Sequence, residues 1–163
     1  MKKLFTLVIT LLFISCSDGD FEVPAFEFTE TINSCNDYFL YKTSASETET
    51  IFVSFSSTQL GSTVREKTYT ISSSLPVTYR IFDDEIGDNY FCQTIPPTTP
   101  RVLKELIAES GSIIINTSEV LDANNESTGD FEYEIYFEKL SFTDNDERIY
   151  FETLDFGTFT IKN

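Results

Sequence analysis

Between residues 131 and 138 apolar and acidic side chains take turns. Phe131, Tyr133, Ile135 and Phe137 hold the odd positions, while Glu132, Glu134 and Glu138 hold even ones. A period of two puts these sets on opposite sides of an extended chain, so the segment reads as a half-buried strand. Leu140 and Phe142 continue the apolar row with the opposite parity. A slip of one residue exchanges the two faces, so a bulge is expected near Glu138 and Lys139.

The same period recurs along most of the chain. Phe26, Phe28 and Ile32 suggest a first strand, and residues 38–42 form a short aromatic one. Ile51, Val53 and Phe55 alternate with Phe52 and Ser54, which suggests a strand buried on both faces. Residues 56–63 read as a loop. Further strands are expected over 67–71, 77–82, 112–117, 149–154 and 158–162. Pro96, Pro97 and Pro100 remove ladder donors, so this stretch cannot be a central strand. Beyond it Val102, Leu103, Leu106 and Ile107 fit an i, i+3, i+4 stripe. Thr99 is placed to cap, Pro100 suits the first turn and Gly111 suits the stop, so one short helix is expected near 100–110. Eight or nine short strands with one helix favour an all-β, immunoglobulin-like β-sandwich; the alternative is a small β-barrel. No internal repeat interrupts the stretch from 26 to 163, which reads as a single domain.

Composition narrows the chemistry. The chain of 163 residues is 40% hydrophobic, with sixteen Phe and eight Tyr, enough for a core despite a formal charge of −16. It has no His, which removes Ser-His-Asp and Cys-His nucleophile systems and His-ligated zinc. Twenty-seven acidic residues against eleven basic ones argue against nucleic acid as a partner, since phosphate binding needs a basic stripe.

The amino terminus carries an address. Lys2 and Lys3 precede an apolar run over 4–14, which is shorter than the roughly 20 residues of a membrane span and matches a signal-peptide core. The run ends in Phe13, Ile14, Ser15 and Cys16, which resembles a bacterial lipobox. That resemblance implies lipidation of Cys16 and removal of residues 1–15. The removed residues take two Lys and no acid, leaving a formal −18. Residues 16–25 then form an acidic tether. Within it Ser17, Asp18, Gly19, Asp20, Phe21 and Glu22 resemble the lipoprotein export signal of Bacteroidetes, in its flavobacterial form. The resemblance implies an outer-membrane lipoprotein, anchored by its lipid and exposed at the cell surface; it covers about twenty residues and does not identify the domain that follows. More than one acyl chain makes such anchoring stable.

With Cys16 lipidated, Cys35 and Cys92 remain as a pair, and an oxidising envelope makes a disulfide between them the default. It would close a long loop and contribute about 4 kcal/mol on the chain-entropy model.

Three groups of residues could bear chemistry. Carboxylate pairs could serve glycoside hydrolysis, but with so many acids some such pair is inevitable, and Glu132, Glu134 and Glu138 fit a solvated sheet face. Oxygen ligands for calcium are dense at Asp83, Asp84, Glu85 and Asp88, and at Asp144, Asn145, Asp146 and Glu147; the same residue types also suit turns for local reasons. No other cofactor is suggested. Tyr136 shares the face of the three glutamates and is the candidate ligand contact, for a sugar or a protein, with cross-strand filling as the plainer role. The expected function is a non-catalytic binding or assembly module, such as an accessory subunit of an outer-membrane complex. The alternatives are a glycan-binding accessory protein, an inhibitor or immunity-type lipoprotein, and a carboxylate-based hydrolase.

Overall fold

A computed structural model gives the fold and describes residues 27–36, 38–95 and 97–162. Cys16 and the segment 17–22 lie outside the described residues, so the lipidation and export readings have no structural counterpart. Nine strands form two antiparallel sheets. The first contains β1 (Asn33–Cys35), β2 (Phe39–Thr43), β3 (Glu49–Ser54), β5 (Val77–Phe82) and β6 (Val102–Ile107), in the order β1-β2-β3-β5-β6. The second contains β4 (Arg65–Thr70), β7 (Ser110–Leu121), β8 (Ser127–Asp144) and β9 (Glu147–Ile161), in the order β4-β7-β8-β9. The sheets stay separate and neither closes into a barrel.

One hydrophobic cluster lies between them. The first sheet supplies Leu40, Ile51, Val53, Val77 and Tyr79; the second supplies Ile113, Ile115, Ile135, Phe137 and Phe142 among others. The Tyr79 and Phe142 rings meet across the gap with centroids 6.4 Å apart. The Tyr79 hydroxyl donates to Glu49 Oε2 at 2.7 Å, which satisfies the polar end of a buried aromatic. The architecture is the expected sandwich, with its own strand order. In an immunoglobulin domain the strand returning from the second sheet takes the edge first. Here β5 returns beside β3, and β6 takes the edge.

The alternation in β8 works as read. Tyr133, Ile135 and Phe137 are buried, as are Leu140 and Phe142 beyond the change of parity. The change occurs at Lys139, which has φ +52°, where the β7–β8 register shifts between Ser110 and Ser112. Gly111 sits opposite with φ +138°. A Cβ there would lie 3.1 Å from the Glu138 carbonyl oxygen and 3.1 Å from Leu140 Cα. Gly111 is therefore the β7 glycine that faces the β8 bulge at close range, not a helix stop.

The helix near 100–110 is not formed. Residues Val102–Ile107 are β6, paired antiparallel with β5. Of the supposed stripe only Leu106 is buried; Val102, Leu103 and Ile107 are exposed. The segment also fits a period of two, with Leu106 turned inward and Glu105 turned out to pair with Arg80. A helix this short is marginal alone, whereas the free edge of β5 offers a full ladder. The one helix among the described residues, α1 (Ser57–Leu60), falls instead in the expected loop 56–63. A capping box forms it: Gln59 N–H donates to Ser56 Oγ, and Ser56 N–H donates to Gln59 Oε1 at 2.7 Å.

Two further boundaries differ. The first strand is β1, while Phe28 forms an isolated bridge with Ser44 and Phe26 lies outside the described residues. The expected strands 149–154 and 158–162 are one strand, β9, whose register against β8 shifts between Ile135 and Tyr136.

Candidate functional site

The outer faces of the two sheets are built differently. On the first sheet Phe39, Tyr41, Phe52 and Phe82 point away from the sandwich core. The segment 83–95 crosses over them. Phe91 centres this second cluster, with ring centroids 5.3 Å from Phe39, 4.9 Å from Tyr41 and 5.3 Å from Phe52. Tyr90 meets Phe82 edge-on at 4.9 Å, and the Arg80 guanidinium lies 5.0 Å over the Phe52 ring. Next to Phe91, Cys92 lies at disulfide distance from Cys35, with Cα atoms 5.0 Å apart. The expected pair is thus assembled, and it fastens the covering segment to β1.

Among the described residues no such segment covers Tyr136 on the second sheet. Tyr136 is half-buried between exposed Glu134 and half-buried Glu138, and its cross-strand neighbour on β7 is buried Ile114. The expectation that Tyr136 shares a face with Glu132, Glu134 and Glu138 holds, since Glu132 and Glu134 are exposed on β8. The neighbouring strand β4 adds Glu66 to the surroundings of Tyr136. Burial, together with the charges of Glu66, Glu138 and Glu134, pushes the Tyr136 hydroxyl above the ordinary phenol range. The Asn116 carboxamide donates to Glu134 Oε2 at 3.2 Å. On the β9 side, Thr160, Thr158 and Thr153 pair with Glu132, Glu134 and Glu138. The result is a sheet face of hydroxyls and carboxylates around one aromatic ring.

Asp83, Asp84 and Glu85 line one open recess with Thr99 and Pro100, and the remaining calcium candidates lie elsewhere. Asp83 accepts from the Arg101 backbone N–H at 2.7 Å and from Arg101 Nε at 2.8 Å, which holds its carboxyl below the usual range. Asp84 accepts from the Glu85 N–H at 2.9 Å, a local turn bond. Asp144 pairs with Lys104, and its second oxygen accepts from Asn145 Nδ2 at 3.3 Å. Asp146 lies exposed in the β8–β9 turn, and Asp88 is set apart at the recess described next. Among the described residues, no three His, Cys, Asp or Glu side chains are grouped to hold a metal.

Sequence reasoning missed a recess of about 290 Å³ where the residues before β1, strand β2 and the covering segment meet. Its polar lining is Thr29, Thr31, Asn33, Thr43, Glu47 and Asp88, with Tyr41, Ile86 and Gly87 completing the wall. The Tyr41 hydroxyl donates to the Asp88 carbonyl at 2.9 Å; burial, then the Asp88 charge, raises its pKa. Glu47 holds a left-handed backbone, φ +54°, with its carbonyl accepting from the Ile86 N–H at 3.0 Å. No sequence motif joins these residues, because they come from four separate segments.

Fold and surfaces together define a class: an acidic, disulfide-closed β-sandwich with one covered outer face and one that no described segment covers. Comparison with protein-family models, curated proteins and solved structures gives no match for this chain. No helix among the described residues is long and apolar enough to cross a membrane.

Proposed function

We propose that this protein is a surface-exposed lipoprotein of the outer membrane that acts as a non-catalytic binding or assembly module. Anchoring would be through Cys16, and export through the signal 17–22. The observation that carries the binding role is the uncovered face around Tyr136. Tyr offers a large contact area at low entropic cost, and its hydroxyl keeps a polar handle. Glu66, Glu134 and Glu138 around the ring select a partner whose complementary patch is basic.

The test is crosslinking of the native lipidated protein on intact cells, followed by purification and identification of what accompanies it. A stoichiometric outer-membrane protein is expected for the wild type and is lost from Tyr136→Ala and Glu134→Lys. A partner retained by both variants sinks the assignment of this face. Cys16→Ala is expected to release the protein from the membrane, and external protease is expected to cleave the wild type on intact cells.

A further inference from the structure

We propose that the recess between strand β2 and the covering segment binds a single sugar ring, uncharged or bearing an amino group. It lies on the first sheet, so it is independent of the Tyr136 face on the second.

The argument begins with unspent hydrogen-bonding capacity. Thr29, Thr31 and Thr43 bring hydroxyls, Asn33 a carboxamide, and Glu47 and Asp88 carboxylates. None of these six side chains makes a hydrogen bond or ion pair with another described residue. One strand further in, Thr50 pairs with Thr43 and shares its face. Thr50 does not itself line the recess; it is fully buried, and its hydroxyl has no partner among the described residues. Thr29 and Asn33 are half-buried and Thr43 is buried, while Thr31, Glu47 and Asp88 are exposed at the mouth, so the recess presents polar groups that a polar ligand would engage in place of water.

The kinds of group decide the ligand class. Hydroxyls donate and accept, a carboxamide does both from one plane, and carboxylates only accept. A ligand that uses all of them must present several donors and several acceptors side by side, as adjacent hydroxyls on a sugar ring do. A simple ammonium has donors only and would leave the Asn33 amide and the Thr donors unmatched. Among the described residues no Lys or Arg lines the recess, and Glu47 and Asp88 repel anions, so acidic sugars are disfavoured. The volume of about 290 Å³ lies at the lower edge of small-molecule pockets, which fits one ring and not a chain.

The recess is also held in shape before any ligand arrives. Cys35 lies on β1 beside Asn33, and its bond to Cys92 fixes the covering segment that supplies Ile86, Gly87 and Asp88. The Tyr41 hydroxyl and the Glu47 carbonyl tie that segment to the β2–β3 side through the Asp88 carbonyl and the Ile86 N–H. Less ordering is then left to occur on binding.

Saturation-transfer NMR on the full lipidated chain, in a detergent without a sugar headgroup, tests this. The probes are glucose, galactose, mannose, glucosamine, glucuronate and methylammonium. Transfer to at least one neutral sugar and to glucosamine is expected, with none to glucuronate. Asn33→Ala and Thr43→Val are expected to weaken it several-fold, while Tyr136→Ala leaves it unchanged. Asp88→Asn is expected to weaken glucosamine more than the neutral sugars. Circular dichroism melts that match the wild type establish that each variant is folded. The proposal is overturned by no transfer to any sugar, or by transfer that survives both Asn33→Ala and Thr43→Val. Methylammonium displacing glucosamine while no neutral sugar binds would also overturn it, in favour of a plain cation site.

Discussion

The two outer faces of this sandwich solve opposite problems. On the first sheet, strands β2, β3 and β5 carry aromatic residues on the side away from the core, and the segment 83–95 covers them with Phe91 and Tyr90. On the second sheet the same side carries Glu132, Glu134, Glu138 and their Thr partners, and no covering segment is needed because water already solvates them. The lesson is that a strand with apolar residues on both faces demands a third layer. Here a loop supplies that layer, and a loop is too irregular to stay without a fastening. The Cys35–Cys92 bridge is its covalent fastening, at the residue next to the central ring, beside the hydrogen bonds from Tyr41 to the Asp88 carbonyl and from the Ile86 N–H to the Glu47 carbonyl.

The sharpest way to break this comparison is to unfasten the cover. Replacing Cys35 and Cys92 together by Ser is expected to cost about 4 kcal/mol in urea unfolding, from the loop entropy returned to the unfolded chain. It should also raise binding of an apolar dye to the folded state, as the ring cluster opens. A loss under ~1 kcal/mol would mean that the aromatic contacts hold the segment unaided.

Phe91→Ala tests the cover from the other side. Its half-buried ring touches Phe39, Tyr41, Phe52, Phe82 and Tyr90, so a loss of about 2–3 kcal/mol is expected. Because the bridge and the ring hold one segment, their losses should not add. A double-mutant cycle with the Ser variants is expected to show at least ~0.5 kcal/mol of coupling, and strict additivity would separate them.

The interior that both sheets share responds to pH instead. Burial, then the bond to Glu49, holds the Tyr79 hydroxyl far above its ordinary pKa of 10.0. The unfolded chain therefore loses this proton first, and stability falls as pH rises above 10. Tyr79→Phe is expected to lower stability by about 1.5 kcal/mol at neutral pH, through the lost bond to a charged acceptor. It should also flatten the alkaline decline. An unchanged alkaline slope would show that Tyr79 ionises in the folded protein as readily as in the unfolded one.

The uncovered face should be nearly silent in stability. Glu132→Gln and Glu134→Gln are each expected to shift unfolding by no more than about 0.5 kcal/mol, since both side chains are exposed. A larger loss in either would make this face structural, and would weaken its use as a docking surface.

Local pattern made much of this legible. The strict alternation over 131–138 fixes which side of β8 is buried, because side-chain direction in a strand depends only on parity. The change of parity at Lys139 announces the bulge for the same reason. Two Cys left over after Cys16 announce a bridge. Tertiary structure alone decided the rest. Val102–Ile107 fits either a helical or an extended period, and only the open edge of β5 selects the strand. The capping box at Ser56 was readable, but a single helical turn leaves no periodic stripe to support it. The recess gathers Thr29, Asn33, Thr43, Glu47 and Asp88 from segments that no spacing rule connects. Parity acts between neighbours in sequence and can be read along the chain. Strand order, the path of the cover and the meeting of distant polar groups depend on long-range contacts, which exist only once the chain has folded.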